Sequence, residues 1–167
     1  MKTNLKFKND FNDNIFKMNI NKKIIHHTIN QELSSRIKKV EHALNTQRES
    51  LNTASESTAG DKHNTSRAMM HLEEDKLNRQ LAQLYQLKSL VDRINPSKKN
   101  NEIKLGSLIE TNHGYIYIAI PFGKIKIAEI ELMIVSYASP ISNALRGKKE
   151  KDQFKFKNQK WIVNKVC

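Results

Sequence analysis

The chain has 167 residues, of which 38% are hydrophobic and 28% are charged, and its formal net charge is +12. This length has room for one domain, or for one small domain and an extended element. The single cysteine, Cys167, excludes an internal disulfide and a thiolate metal cluster, and this cysteine usage is typical of a reducing cytosol. The longest apolar run, Leu132 to Val135, is too short to span a bilayer and no signal peptide is visible, so we expect a cytoplasmic protein without a membrane partner.

The positive charge lies mainly outside the middle of the chain. The formal charge is +4 over residues 1–27, +1 over 28–97, +2 over 98–101 and +5 over 102–167. Basic segments favour an anionic partner, either nucleic acid or an acidic protein surface. Lysine, asparagine and isoleucine are all abundant, as in proteins from AT-rich genomes, so part of the lysine content is also compatible with no binding role.

Residues 1–22 mix Asn, Asp and Lys with scattered Phe and Ile and show no sustained period, which predicts a mobile basic arm. The six histidines show no metal-ligand spacing, and we expect each of them to be exposed to solvent.

Two long segments follow in which apolar residues recur at helical spacing. The first stripe comprises Leu33, Ile37, Val40, Leu44, Leu51 and Ala54, and the second comprises Leu77, Leu81, Leu84, Leu87, Leu90, Val91 and Ile94. Only a short polar turn joins the two segments, so the pattern predicts an antiparallel helical hairpin over residues 23–95 with its tip at 57–66. We expect the helices at about Asn30–Ser57 and Asn64–Ile94. Two helices of an ordinary bundle are the alternative, but the chain offers no third long helix.

Asn95-Pro96 predicts the end of the second helix, and the polar residues 96–101 indicate a linker. Beyond it the sequence predicts short strands at Ser107–Thr111, Tyr115–Ile120, Lys124–Ala128, Leu132–Ser136, Gln153–Lys157 and Trp161–Val166. Turns are expected at Asn112–Gly114, at Gly123 and at Asn158–Gln159. A short helix is predicted over Pro140–Leu145, with Ser139 as its cap and Gly147 after its end.

The predicted fold class is therefore α+β: a long N-terminal helical hairpin, then a small antiparallel β domain over residues 102–167 with one short helix. Its candidate core residues are Ile116, Ile118, Ile120, Ile125, Ile127, Ile134, Trp161 and Val163.

The β region resembles the C-terminal domain of the Gre family of bacterial transcription elongation factors. That domain has an FKBP-like fold and carries a Ser-Pro-Ile turn, an Ala-Leu helix, and Gly-Lys followed by Gly-Asp. This chain has Ser139-Pro140-Ile141, Ala144-Leu145 and Gly147-Lys148 in that order and spacing. Lys151 stands where the second Gly is usual.

The turn between the helices resembles the Gre tip, which carries Gly-Asp, two residues, an acid and Asn. Here Gly60-Asp61-Lys62-His63 begins the match, and Asn64 occupies the place of the acid. The resemblance spans about residues 30–166 and leaves the N-terminal arm outside.

The resemblance implies a factor that binds RNA polymerase through its β domain and inserts the hairpin tip into the secondary channel. There, tip carboxylates help the polymerase to hold a second Mg²⁺ and to cut backtracked RNA. The factor itself is then not an enzyme, takes no small-molecule substrate, and holds neither a cofactor nor a stable metal of its own. Contacts with nascent RNA or with DNA are also compatible with its basic segments.

On this reading Asp61 is the tip carboxylate, and Glu56 is the candidate second acid. Asp61 is equally suited to cap the second helix, and Glu56 to be a solvated residue at the end of the first. The implied polymerase-binding residues are Ser139, Pro140, Ile141, Arg146, Lys148 and Lys149. A solvated basic cluster is the alternative for the last three.

Three functions thus remain open at the level of sequence. The first is a polymerase-binding factor, which either stimulates transcript cleavage or occupies the channel without doing so. The second is a prolyl isomerase or chaperone, which only the FKBP likeness suggests and whose candidate aromatic residues include Tyr115, Tyr117, Phe154 and Phe156. They recur at every second position, which is more simply one side of a sheet. The third is a basic coiled coil that binds nucleic acid, against which the nearly neutral hairpin argues.

Overall fold

A computed structural model describes residues 21–56, 62–100 and 102–167, and the side chains of 53–56 and 62–64 lie outside that description. Two long helices come first, α1 (Lys22–Glu56) and α2 (Lys62–Asp92). The other elements are β1 (Leu108–Thr111), β2 (Gly114–Ala119), β3 (Gly123–Ile127), β4 (Ile130–Ser136), α3 (Pro140–Leu145), β5 (Gln153–Phe156) and β6 (Gln159–Val166). The predicted α+β class is confirmed. Within the described residues, neither long helix is apolar enough over a sufficient length to cross a membrane.

Helix α1 begins at Lys22, eight residues before the expected helix start at about Asn30 and one residue before the predicted start of the hairpin at residue 23. Asn21 Oδ1 accepts the backbone N–H of Ile24 at 2.8 Å, which satisfies one of the free donors of the first turn. Ile25 and Ile29 are fully buried and extend the apolar stripe by two more turns. Lys22, the last residue of the predicted arm, is therefore helical, and the rest of that arm lies outside the described residues.

The two helices run antiparallel. Hydrogen bonds between described residues connect them, among them Lys88 Nζ to Asn30 Oδ1 (2.9 Å), Tyr85 OH to Glu41 Oε1 (2.7 Å), Arg48 Nε to Glu74 Oε1 (2.8 Å) and Gln47 Nε2 to the carbonyl of Met70 (3.1 Å). Asn30, in the first part of α1, contacts Lys88 near the end of α2, whereas Arg48, in the later part of α1, contacts Glu74 in the first half of α2. This is the arrangement that the short connecting turn predicts.

Burial along the apolar seam is uneven. The predicted residues Leu33, Ile37, Val40 and Leu44 of α1 are buried, as are Leu84 and Val91 of α2 and Ile94 after it. Leu51, Leu77, Leu81 and Leu87 are only half-buried, Leu90 is exposed, and the side chain of Ala54 lies outside the described residues. The seam loses its apolar character beyond Leu44, where the polar contacts of Gln47 and Arg48 replace it.

The chain separates into two compact units. One comprises Ile29–Ser89, and the other combines the described residues before Ile29 with Leu90–Cys167. The predicted boundaries between arm, hairpin, linker and β domain stay predictions. Inside the predicted linker, however, Asn100 is buried and its Nδ2 donates to Ser107 Oγ at 3.1 Å. This polar contact ties residue 100 to the start of the β domain.

Six strands form one sheet in the order β3-β4-β2-β1-β6-β5. The sheet is antiparallel as predicted, except that β2 and β4 pair in parallel, with Ile116 opposite Met133 and Ile118 opposite Val135. The exception arises because β3 does not pair with β2. The chain leaves β2, forms β3 at the edge, and turns back so that β4 enters between them in the direction of β2.

The centre of the sheet is buried on both faces. One face carries Ile103, Ile109, Ile116, Ile118, Val135 and Val163 and packs with Ile141 and Leu145 of α3. Alternate residues of the same strands point to the opposite face, and Tyr117, Leu132 and Ile134 are buried there. Of the predicted core residues, Ile116, Ile118, Ile120, Ile134 and Val163 are buried, whereas Ile125, Ile127 and Trp161 are half-buried.

Candidate partner-binding site

The predicted Ser139-Pro140-Ile141 block forms the start of α3. Ser139 has an extended backbone (φ −67°, ψ 152°), and its Oγ accepts the backbone N–H of Ser142 at 3.2 Å. Pro140 occupies the first turn, where its missing N–H costs no helical hydrogen bond. Ser142 Oγ donates to the carbonyl of Ser136 at 2.8 Å and so ties the helix start to the end of β4. The block is therefore held rigidly by local contacts.

The three residues of the block differ in exposure. Pro140 is exposed and Ser139 is half-buried, so both reach the surface. Ile141 is only 6% exposed and belongs to the core cluster. Its side chain is not available to a partner in this conformation, and its contribution is to anchor α3 on the sheet.

The guanidinium of Arg146 is held in place by two neighbours. Its Cζ lies 4.8 Å from the centroid of the Tyr137 ring, within the range of a cation–π interaction. Its Nη2 also donates to Asn143 Oδ1 at 3.0 Å. Pro140 lies three residues before Asn143, on the same side of the helix. We call these four exposed residues, Tyr137, Pro140, Asn143 and Arg146, the α3 surface.

Tyr137 was not among the predicted site residues. It is 42% exposed, and large exposed aromatic residues are typical of protein interfaces. The sequence signal that could have indicated it is its position: an aromatic residue that follows the end of the predicted strand and precedes the cap Ser139 by two residues.

The turn after α3 contains two residues in the left-handed region, Gly147 (φ +74°) and Lys151 (φ +72°). Between them, the backbone N–H of Lys149 donates to Asp152 Oδ2 at 2.8 Å. Lys151 is the position at which the Gre pattern has its second Gly. Because glycine adopts positive φ without steric cost, the backbone at this position suits the residue that the pattern prefers.

The basic side chains of this turn have no acidic partner nearby. Asp152 accepts the backbone N–H of Lys149, and Glu150 Oε1 accepts that of Val166 at 3.0 Å, so both local carboxylates serve the backbone. No ion pair is found for Lys148 or Lys149 within the described residues. Lys149 is exposed and Lys148 is half-buried, which leaves a net positive edge beside the α3 surface.

Residues 57–61 of the predicted tip, which include Gly60 and Asp61, lie outside the described residues. Glu56 ends α1, while Lys62, His63 and Asn64 form the first turn of α2, two residues earlier than predicted. Asp61 directly precedes this helix in the chain, as its predicted capping role requires. The roles of Asp61, Glu56 and Asn64 stay predictions. Across the described parts of the chain, no group of three or more His, Cys, Asp or Glu side chains is arranged to hold a metal ion.

The four aromatic residues that suggested an FKBP-like isomerase do not share one face of the sheet. Phe154 and Phe156 pack with Trp161 against the core cluster that contains Ile116 and Ile118. Tyr115 and Tyr117 alternate with those isoleucines and so belong to the opposite face. Tyr117 is also fully buried. These residues therefore do not line a common substrate pocket.

Comparison with known proteins yields limited similarity. No protein-family model matches the chain, and no curated protein matches it. Among solved structures, that of the transcription factor Gfh1 is similar over 82% of this chain and 92% of that chain, with 17% sequence identity and a TM-score of 0.34. Similarity at this level does not transfer a function to this chain.

Proposed function

We propose that this protein is a Gre-like transcription factor that binds RNA polymerase through residues 102–167 and inserts the tip of its helical hairpin into the secondary channel. The observation that carries the proposal is the agreement between motif and backbone in the β domain. Ser139 and Pro140 start a capped helix, and Lys151 has the left-handed backbone expected where the family pattern places Gly. The motif residues thus occur in the local structure that the pattern requires.

The α3 surface suits contact with an acidic protein partner. Arg146 is positioned by Tyr137 and Asn143, so little side-chain entropy is lost when its guanidinium meets a carboxylate. Pro140 adds a rigid apolar contact beside it. Lys148 and Lys149 add positive charge at the rim, which mainly accelerates encounter with an acidic surface.

The helical hairpin supplies the length that insertion into a channel requires. Helix α2 has 31 residues and is therefore roughly 46 Å long at about 1.5 Å per residue. At its tip the sequence has one acid, Asp61. Where the family pattern has a second acid, this sequence has the amide residue Asn64. Any Mg²⁺ involved belongs to the polymerase active site. The protein modulates backtracking by occupying the channel, and the tip determines how strongly it stimulates cleavage.

A channel-occupying factor without cleavage stimulation is the second candidate, and Asn64 is the residue that favours it. An amide oxygen can ligate Mg²⁺, but it neither neutralises the ion nor accepts a proton from water. For the prolyl isomerase only the FKBP likeness remains, because its candidate aromatic residues lie on opposite faces of the sheet.

Polymerase binding is tested by retention of core RNA polymerase on the immobilised full-length protein. The double variant Pro140→Ala/Arg146→Gln should reduce retention strongly, whereas Asp61→Ala should leave it nearly unchanged. Lys124→Gln/Lys126→Gln serves as the control, since these exposed lysines lie on β3 and pair with Glu131 and Glu129 rather than with residues of the α3 surface. Equal retention of the α3-surface variant and the control would contradict the proposal.

A further inference from the structure

The hairpin formed by β5 and β6 concentrates positive charge, and none of its lysines forms an ion pair with a described residue. Residues 153–166 contain Lys155, Lys157, Lys160 and Lys165 and no acidic residue. Lys155 and Lys160 are direct cross-strand partners, and both are exposed. Like charges placed directly opposite each other destabilise a strand pair. The hairpin thus maintains a charge arrangement that is unfavourable for its own stability.

The hairpin at the other edge of the sheet is built differently. In β3 and β4, Lys124 Nζ lies 3.4 Å from Glu131 Oε2, and Lys126 Nζ lies 3.0 Å from Glu129 Oε2. In β6, Lys165 lies opposite Glu110 of β1, but Lys155 and Lys160 lie opposite each other with no acid between them, whereas both lysines of β3 are paired with acids. A lysine-rich composition alone therefore does not account for the charge on β5 and β6.

A pocket of about 330 Å³ lies on this hairpin and is lined by Gln153, Phe154, Lys155, Asn158 and Lys160. Four of its five lining residues are thus lysines or carboxamide residues, and Phe154 is the fifth. The ammonium groups attract phosphates, and the carboxamides can donate to or accept from the edges of nucleobases.

The backbone that presents these residues is held by the neighbouring β1–β2 turn. Asn112 Nδ2 donates to the carbonyl of Lys160 at 3.1 Å, and Asn112 Oδ1 accepts the N–H of Ile162 at 2.8 Å. Lys157 and Asn158 both have positive φ (47° and 61°), as required by the two-residue turn that joins β5 and β6. Lys155 and Lys160 therefore project from a fixed hairpin, which lowers the entropic cost of binding.

We propose that this β5–β6 surface, comprising Gln153, Lys155, Asn158 and Lys160, binds single-stranded nucleic acid. Its cations are all lysines, which bind phosphate as point charges, and it lacks the arginine fork that matches a carboxylate in two-point contact. Base edges are free for the carboxamides in a single strand, whereas a duplex exposes them only within its grooves. The surface shares no residue with the α3 surface, and this proposal does not depend on polymerase binding.

The test measures the binding of the purified full-length protein to fluorescein-labelled oligo(U) and oligo(dT) of equal length by anisotropy, over a range of salt concentrations. Lys155→Gln/Lys160→Gln should weaken binding by about tenfold or more. For a single strand, the slope of log K against log salt should fall by roughly 0.7 per lysine removed. The control Lys124→Gln/Lys126→Gln removes the same charge from the β3–β4 hairpin and should change neither quantity appreciably. Stronger binding of oligo(U) or of oligo(dT) identifies RNA or DNA as the preferred strand, and either result supports the proposal.

A second variant separates binding from folding. Lys155→Glu places a carboxylate opposite Lys160, which favours the hairpin, so the melting temperature should not fall while binding to the oligonucleotides is lost. The proposal would be overturned if both double variants lost the same affinity for the oligonucleotides. It would also be overturned if the protein bound a duplex of the same length more tightly than the single strand, or bound a polyglutamate peptide as tightly. Because no polymerase is present in the assay, such a result would leave the proposed transcription function standing.

Discussion

The backbone N–H of Lys151 donates to the carbonyl oxygen of Val163 at 2.7 Å, and this contact accompanies a left-handed conformation of Lys151 with φ +72°. Asp152, the next residue, is also bonded to Val163, because its carbonyl oxygen accepts the N–H of Val163 at 2.9 Å. Strand β6 thus fixes the turn that follows α3. A lysine is tolerated at this position only at the steric cost of a Cβ atom at positive φ.

Lys151→Gly should therefore stabilise the β domain. Removing Cβ relieves about 1–2 kcal/mol of left-handed strain, and the greater freedom of glycine in the unfolded chain returns about 0.5–1 kcal/mol. The net gain should be on the order of 0.5–1 kcal/mol. Urea unfolding followed by the fluorescence of Trp161, the single tryptophan of the chain, measures it.

Lys149→Gly is the matched control, because Lys149 is also exposed but is not among the residues with positive φ. This change should lower the free energy of unfolding. Stabilisation by both changes, or by neither, would contradict the assignment of strain to residue 151.

Local signals in the sequence predicted local structure well. Helix α3 spans Pro140–Leu145 as predicted, because Ser139, Pro140 and Gly147 act within one or two turns of the helix. The β1–β2 turn is also where Asn112 and Gly114 placed it. Pairing between distant strands could not be predicted in this way. Nothing in the periodicity of β2 or β4 specifies that they lie side by side in parallel, since each strand shows only which faces are apolar.

The candidate site was predicted only in part, for a related reason. A motif names the residues of a segment but does not distinguish those that contact a partner from those that anchor the segment. Ile141 and Pro140 are adjacent in the motif, yet Ile141 is in the core and Pro140 is exposed. The role of Tyr137 depends on its contact with Arg146, nine residues away, and no local pattern predicts that contact.

The seam of the helical hairpin should respond to charge according to burial. Leu44 is 3% exposed, so Leu44→Asp would bury an unpaired carboxylate and should cost on the order of 3 kcal/mol. Leu81→Asp should cost less, because Leu81 is half-buried. Thermal unfolding monitored by far-UV circular dichroism gives the order of the variants.

Leu72→Asp provides the comparison, since Leu72 is 60% exposed and the same chemical change there should be nearly neutral. If Leu44→Asp and Leu72→Asp retained the same helicity and melting temperature, the stabilising seam would have to lie elsewhere.

Tyr117 should make stability depend on alkaline pH. Its side chain is fully buried, its hydroxyl has no hydrogen-bond partner among the described residues, and burial raises its pKa to about 12. In the unfolded chain its pKa is about 10. The unfolded state therefore loses the proton first. Stability is unaffected by this group below pH 10 and falls as the pH rises from about 10 toward 12.

Tyr117→Phe removes both the unpaired hydroxyl and its ionisation. Below pH 10 the variant should match or exceed the wild type by about 1 kcal/mol. Above that pH its advantage should grow by up to about 1.4 kcal/mol per pH unit. Urea unfolding of both proteins at a series of pH values isolates this group, because the lysines titrate equally in each. A constant difference between the two proteins across the alkaline range would show that Tyr117 does not ionise differently in the folded and unfolded states.

At the tip between the two long helices, the sequence both matches the Gre pattern and departs from it. A single carboxylate at Asp61 supplies half of the negative charge that two acids would offer to a second Mg²⁺, so the wild type should stimulate transcript cleavage weakly or not at all. Asn64→Glu restores the second acid and should raise cleavage in backtracked complexes. Adding Asp61→Ala should abolish that gain, since both groups must address one ion. The measurement is the rate of release of the 3′ RNA fragment from stalled complexes at fixed magnesium, with Asn64→Gln as a control that preserves the amide. Cleavage by the wild type as strong as that of a two-acid Gre factor would refute this reading, and would direct attention to Glu56 or to a polymerase residue as the missing ligand.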